Sequence, residues 1–241
     1  MTSPLFLTDD LSAAEPGALV ALAGAEGRHA AVVRRIGVGE TIMIGDGRGR
    51  AVRGPVVRAD RSGLAIEVAE VLSAADEPVR YVAVQALAKG DRAELALEML
   101  TELGAAEILP WKATRSVVRL TGEREAKALA RWRSTVREAA KQSRRLRVPQ
   151  VGDPVGLVAL ARRVAAADLA VALHEEATEP ISRVRLPAAG EVVVVIGPEG
   201  GIAPAELDAL VTAGARPVSL GDGVLRTSTA GVVALAALRL R

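Results

Sequence analysis

"EVVVVIGPEGGIAPAELDAL", Glu191 to Leu210, is the stretch on which the fold turns. Val192 to Ile196 is an unbroken apolar run, the pattern of a strand buried on both faces. Gly-Pro-Glu-Gly-Gly then breaks the chain sharply, and Ala205 to Thr212 reads as a helix. Glycine lets a backbone turn tightly and approach a neighbouring group closely. A bare turn of this kind at the end of a buried strand suits a ligand held by main-chain groups.

Outward from this stretch, strands alternate with helices. "VRYVAVQAL" from Val79 is a strand, and "DRAELALEMLTELG" is a helix stopped at Gly104. "AEILP" is a short strand, and "EREAKALARWRSTVREAAKQSRRL" a long helix. "DLAVAL", "EVVVVI" and "PVSL" are strands, and "LRTSTAGVVALAALRL" a final helix. That alternation predicts an α/β domain over 79–241 with a mostly parallel sheet covered on both faces. The first 72 residues read differently. "TIMIGDGRGRAVRGPVV" and "GLAIEVAEVL" are β-rich pieces punctuated by Gly, Asp and Pro, which predicts a small β-barrel-like domain over 1–72. "SAADEP" (73–78) reads as the linker. "GDGRG" (Gly45 to Gly49) is a tight turn between strands, because strand-like sequence follows it where a dinucleotide loop needs a helix.

Composition narrows the class. Half of the 241 residues are hydrophobic, enough for a sizeable core. No apolar run reaches the roughly 18 residues of a membrane span, and "MTSPLFLTDDLSAAEPG" lacks the basic start of a signal peptide. No cysteine is present, which excludes disulfides, thiolate metal sites and a cysteine nucleophile. His29 and His174 stand too far apart in sequence to suggest a metal site. These features predict a soluble cytoplasmic protein without metal. Net charge is only +2, but lysine occurs only at Lys89, Lys112, Lys127 and Lys141, so the positive charge is mostly arginine. A codon preference accounts for that excess in number, though not for clusters such as "KQSRRLR".

In parallel α/β sheets ligands bind beyond the carboxyl ends of the strands. Three such ends carry unusual sequence: Leu173 leads into "HEE", Ile196 into "GPEGG", and Leu220 into "GDGVLRTSTA". Together they predict one shared pocket. No Gly-Lys-Ser/Thr is present, so it is not a P-loop, and the absence of Gly-x-Gly-x-x-Gly after the first strand disfavours a dinucleotide-dependent dehydrogenase.

"IGPEGG" followed by "LGDGVLRTSTA" resembles the C-terminal signature of the RsmE family, SPOUT-class methyltransferases acting on N3 of a uracil in 16S rRNA. "AKGDRAELALEMLTELGAAEILP", "TRSVVR", "REAAKQSRRLRVPQV" and "RHAAVVRRIGVGETIMIGDGRG" are similar to the family's other segments, in the same order. The resemblance implies a PUA-like RNA-binding barrel and a C-terminal domain with a deep trefoil knot. It further implies S-adenosylmethionine (SAM) as methyl donor, S-adenosylhomocysteine as product, a homodimer, and 16S rRNA within the small ribosomal subunit as partner.

Carried over residue by residue, the resemblance assigns cofactor contacts to Leu173, Ile196 and Gly197, and to Glu199, Gly200 and Gly201. It assigns others to Leu220, Gly221, Val224, Leu225 and Thr227. Glu199 either faces the methionine ammonium or caps the turn. Arg226 is the leading catalytic candidate, placed to hold a uracil carbonyl or a phosphate. Thr227 and Thr229 touch ligand or cap the last helix. RNA contacts fall on His29, Arg34 and Arg35 in the first domain, and on Arg115, Arg144, Arg145 and Arg147 in the second. With one phenylalanine and one tyrosine, an aromatic stacking platform is not expected.

Two positions depart from the family pattern. Ser228 stands where the family usually has glutamate, and no arginine occurs in the first ten residues. Ser228 keeps open a reading as an RNA-binding assembly factor without catalysis. A knotted methyltransferase acting on tRNA or on ribose is the remaining alternative.

Overall fold

The structure is a computed structural model and describes residues 3–11, 14–87, 91–118 and 121–240, with only the backbone of Asp91. The Lys89-Gly90 pair and Arg119, quoted above for the resemblance, lie outside the described residues. The chain forms two compact units, Met1–Asp76 with Ala140–Val148, and Glu77–Ala139 with Pro149–Arg241.

The first unit contains β1 (Leu5–Leu7), β2 (Leu19–Leu22), α1 (Gly24–Arg28), β3 (Thr41–Gly45), β4 (Arg50–Asp60), β5 (Gly63–Glu67) and β6 (Glu70–Ser73). Helix α1 runs directly into a π-helical turn at His29–Val33. The strands pair in the order β1-β3-β4-β5-β2, with β6 on β4, and only the β1–β3 pair is parallel. A bulge between Val56 and Arg58 lets the long β4 serve several partners. Phe6, Ile42, Ile44, Val52, Leu64 and Ile66 form the core. The turn read at Gly45–Gly49 joins β3 to β4, and Asp46 Oδ1 accepts the Arg48 and Arg50 amides at 2.7 and 3.0 Å. Gly49 has φ +119°, and a Cβ there would stand 2.9 Å from Arg147 Cζ. Residues 140–148 are tied into this unit by the Val148 amide, which donates to Gly47 O (2.9 Å), and by Arg147 Nη1, which donates to Arg48 O (2.9 Å). The ammonium of Lys141, only 6% exposed, pairs with Glu26 at 2.9 Å.

The second unit alternates as the sequence predicts: β7 (Val79–Ala86), α2 (Asp91–Glu102), β8 (Glu107–Trp111), α3 (Gly122–Ser143), β9 (Gln150–Val151) and α4 (Leu157–Ala166). Then follow β10 (Leu169–Leu173), β11 (Gly190–Ile196), α5 (Pro204–Thr212), β12 (Arg216–Val218) and α6 (Thr227–Arg239). Every pairing in the sheet, ordered β12-β10-β11-β7-β8-β9, is parallel. Val82, Val84, Val193 and Val195 face a core shared with Leu160 of α4 and Leu210 of α5. Their alternates face the other side, where α6 packs on β7, β11 and α2. Burial on both faces explains the continuous valine run of β11.

At the amino ends of the strands sits a charge cluster. Arg80 bonds Glu191 and Glu107, each at 2.6 Å. Arg163 of α4 reaches the same carboxylates at 2.7–2.9 Å. Burial opposes the charge on Arg80, but the two carboxylates outweigh it and raise the guanidinium above its ordinary pKa. Among the described residues no helix is long and apolar enough to cross a membrane, and no cluster of His, Cys, Asp or Glu is arranged to hold a metal ion.

Candidate functional site

Parallel pairing brings the strand carboxyl ends to one edge. Leu173 pairs with Val218, and Ile196 with Gln85. The chain leaves β10, β11 and β12 there in three loops, which enclose an open cleft of about 250 Å³.

Each loop has its own fixings. After β10, the Glu176 amide donates to His174 Nδ1 at 3.2 Å, and the His174 amide donates to Val218 O at 3.0 Å. After β11, the Gly201 amide closes a turn onto Pro198 O at 2.9 Å, with Gly201 in the left-handed region at φ +73°. Glu206, in the first turn of α5 and only 4% exposed, anchors the far end of this loop. One of its oxygens accepts from the Thr114 amide (2.8 Å) and hydroxyl (2.9 Å), and the other accepts from the Ala203 amide (3.3 Å). After β12, the chain from half-buried Leu220 runs exposed through Gly221–Arg226 to the start of α6.

Thr227 joins the loops. Its hydroxyl donates to Gly197 O and accepts from Gln85 Nε2, which lies 3.2 Å away. The role read for Thr227 as a helix cap is not the one observed: the N-cap is Arg226, with no side-chain cap, and its carbonyl accepts the Thr229 and Ala230 amides.

The cleft brings together nearly all of the cofactor positions read from the sequence. Leu173, Ile196, Leu220, Val224 and Leu225 supply apolar walls, with Gly197, Gly201, Gly221 and Thr227 between them. Glu199 and Arg226 line it too, and both are exposed. Gly200 and Thr229 do not line it. Sequence reasoning omitted Glu175, Pro198, Ile202, Val218, Gly223 and Ala230 as lining residues; Glu175, one residue past His174 in "LHEE", was the legible one.

Arg115, read as an RNA contact, is exposed and also braces the glycine turn, donating from Nη1 to Gly200 O at 3.1 Å. The other six arginine and histidine candidates all belong to the first unit. His29 opens the π-helical turn, and Arg34 and Arg35 follow it, exposed. Arg144, Arg145 and Arg147 lie in Ala140–Val148, the segment grouped with that unit although the sequence reading put them on the second domain. Arg35 and Arg144 hold left-handed backbone, φ +54° and +56°, which are the two such non-glycine positions among the described residues.

Chemically, the cleft offers flat aliphatic walls, main-chain donors and acceptors, and two carboxylates, Glu175 and Glu199. That combination suits a ligand with an apolar heterocycle and a cationic portion.

A family model described as an RNA methyltransferase domain matches residues 75–239, and one described as an RNA methyltransferase PUA domain matches 22–69. The chain is 48% identical to ribosomal RNA small subunit methyltransferase E of Mycobacterium bovis, over 99% of this chain and 92% of the relative. It is 36% identical to the Bacillus subtilis protein of that name, over 67% and 66%. Among solved structures, the Neisseria gonorrhoeae ribosomal RNA small subunit methyltransferase E bound to SAM superposes with TM-score 0.88 at 28% identity, covering 99% of this chain and 98% of that one. A Legionella pneumophila protein in complex with SAM gives 0.86 at 30% identity, over 100% and 98%.

Proposed function

This chain belongs to the ribosomal RNA small subunit methyltransferase E family, and we propose that it transfers the methyl group of SAM to N3 of one uracil in 16S rRNA. The observation that carries the reading is the cleft at the carboxyl ends of β10, β11 and β12, built on the glycine turn of a chain whose relatives are solved with SAM. The donor set fits that cofactor. Aliphatic walls from Leu173, Ile196, Leu220 and Leu225 suit adenine, whose edge pairs with main-chain groups without charge. Glu175 and Glu199 give the mouth negative charge, which suits the ammonium and sulfonium.

Bound there, SAM supplies a sulfonium-activated methyl, which the N3 lone pair takes as the C–S bond breaks and neutral S-adenosylhomocysteine leaves. The rest is alignment and electrostatics. Arg226, exposed at the cleft mouth, holds a uracil oxygen and stabilises the negative charge left on the ring as the N3 proton passes to water. Thr227 fixes the Gly197 carbonyl and so the cleft floor. His29, Arg34, Arg35, Arg144, Arg145 and Arg147 contact phosphate, which positions RNA without reading sequence; specificity then rests on a splayed base and its local structure. The second unit is a knotted SPOUT domain working as a homodimer in the cytoplasm. The apolar surface left open at Val224 (80% exposed) and Val233 (36%) beside the cleft favours a second copy there.

The test is methyl transfer from SAM to small subunits purified from cells lacking the gene, followed by nucleoside mass spectrometry. The expected product is 3-methyluridine at a single rRNA position. SAM binding without transfer would move the reading to an assembly factor, the alternative that Ser228 raises. A methyl group on another atom or on tRNA would refute the assignment of N3.

A further inference from the structure

Gln85 closes β7 at the cleft edge, paired in register with Ile196. It is 1% exposed, in a strand whose other residues from Tyr81 to Ala86 are apolar and buried. Its Nε2 donates to Thr227 Oγ1 at 3.2 Å and to Ala86 O at 3.3 Å, while Oε1 has no partner among the described residues. A buried unpaired acceptor opposes folding. Methionine would fill the same space without that penalty, so the glutamine is not explained by packing.

Hydroxyl chemistry explains it. Thr227 has one hydroxyl proton to direct, and its oxygen can accept as well as donate. A donor from Gln85 occupies an Oγ1 lone pair and leaves the proton directed at Gly197 O. Three segments distant in the chain meet at this oxygen: the end of β7, the start of the glycine turn, and the start of α6, the bonded partners standing 142 and 30 positions apart. There is little slack nearby. A Cβ on Gly231, one helical turn past Thr227, would stand 3.1 Å from Ile196 Cγ1.

We propose that Gln85 is a positioning residue for the cofactor: through Thr227 it locks the Gly197 carbonyl, setting the cleft floor before ligand arrives. Gln85 is not among the cleft-lining residues, so it acts only through Thr227. The proposal rests on the reading of this cleft as the SAM site.

The test uses the full chain, with SAM affinity measured by calorimetry and melting temperature measured without ligand. Gln85→Met should melt at or above wild type, because it removes the unpaired acceptor, yet bind SAM about five- to tenfold more weakly, about 1–1.4 kcal/mol. Thr227→Val should weaken binding at least as much, whereas Thr227→Ser, which keeps the hydroxyl, should stay within about twofold. The Gln85→Met/Thr227→Val double variant should be no worse than Thr227→Val alone, since both act on one bond. Gln85→Met that binds SAM like wild type overturns the proposal, as does one that loses stability along with affinity or fails to fold. Additive effects in the double variant overturn it too. A wild-type chain without affinity for SAM refutes the functional reading itself, whereas wild-type binding with Gln85→Met unaltered refutes this proposal alone.

Discussion

Replacing Gly197 by alanine adds one methyl group to the cleft floor, and its neighbours determine the result. On the existing backbone the new Cβ stands 2.8 Å from Ile202 Cγ1 and 3.4 Å from Ile202 N. Carbon atoms pack comfortably at about 3.5 Å and beyond, so roughly 0.7 Å must be found. Ile202 is 4% exposed and packed in the core with Val195 and Leu210, so it has little room to swing away. On the other side, Thr227 holds the Gly197 carbonyl. The displacement therefore falls on the turn from Pro198 to Gly201. Overpacking of this kind costs about 1–3 kcal/mol. At roughly 2–4 °C per kcal/mol for a chain of this size, a cost near 2 kcal/mol lowers the melting temperature by about 4–8 °C. A shifted turn that forfeits the equivalent of about two backbone hydrogen bonds to ligand, about 1 kcal/mol each, would weaken SAM binding about thirtyfold. Gly223→Ala is the control for stability: it lines the same cleft, but its Cβ meets no atom within 4 Å and its φ is not positive. Its stability should stay within about 0.5 kcal/mol of wild type. Circular dichroism melts and calorimetric titration with SAM measure both quantities. If Gly197→Ala melts with wild type and binds SAM equally well, the packing argument fails.

Three further outcomes follow from the same structure. Arg226→Ala should lower kcat/KM by about 10²-fold in methyl transfer while SAM affinity changes little, with Arg226→Lys in between, because an exposed guanidinium at the mouth serves the acceptor and not the cleft floor. Arg163→Met leaves Glu107 and Glu191 sharing Arg80; with those carboxylates 12% and 22% exposed, the loss should fall near 2 kcal/mol in denaturant titrations, between the about 0–1 of surface pairs and the about 3–5 of buried ones. SAM affinity should not change, since that cluster lies at the opposite ends of the strands. Ser228→Glu should leave the methylation rate within about threefold, because the reading of this chain as an active methyltransferase makes no use of a carboxylate at that position; a rise approaching 10²-fold would instead assign proton removal to that position. The variant should also lose stability, since Ser228 is 4% exposed and a carboxylate there is desolvated.

The parts of the site carried by local sequence were legible. Ile196 to Gly201 and Leu220 to Leu225 announce themselves by glycine beside a strand end, and the cleft gathers most of them as the alternation of strands and helices predicts. Other parts depend on partners distant in the chain. Arg115 looks like any arginine until Gly200, 85 residues away, is beside it. Gln85 carried a signal, one polar residue in "YVAVQAL", but its meaning lies in Thr227. Helix α4 is hard to read from sequence because Gly156 supplies no side-chain cap and its Ala- and Val-rich sequence carries no stop signal. The grouping of Ala140–Val148 with the first unit was hidden for another reason: α3 continues through Ser143 without any break in its helical pattern.

That grouping bears on how the protein is made. The first unit cannot be finished when its own 76 residues leave the ribosome, because the segment carrying Lys141, Arg147 and Val148 is still unsynthesised. At roughly 5–20 residues per second, the wait is on the order of 4–15 s. The central strand pair of the second unit waits longer, since Arg80 and Glu191 are separated by 111 residues. Until then β7 must remain without β11, an apolar strand in want of its neighbour. Contacts so distant in the chain also fold slowly once available. The nascent chain therefore spends much of its synthesis with one unit or both incomplete, their apolar strands awaiting partners still to be made.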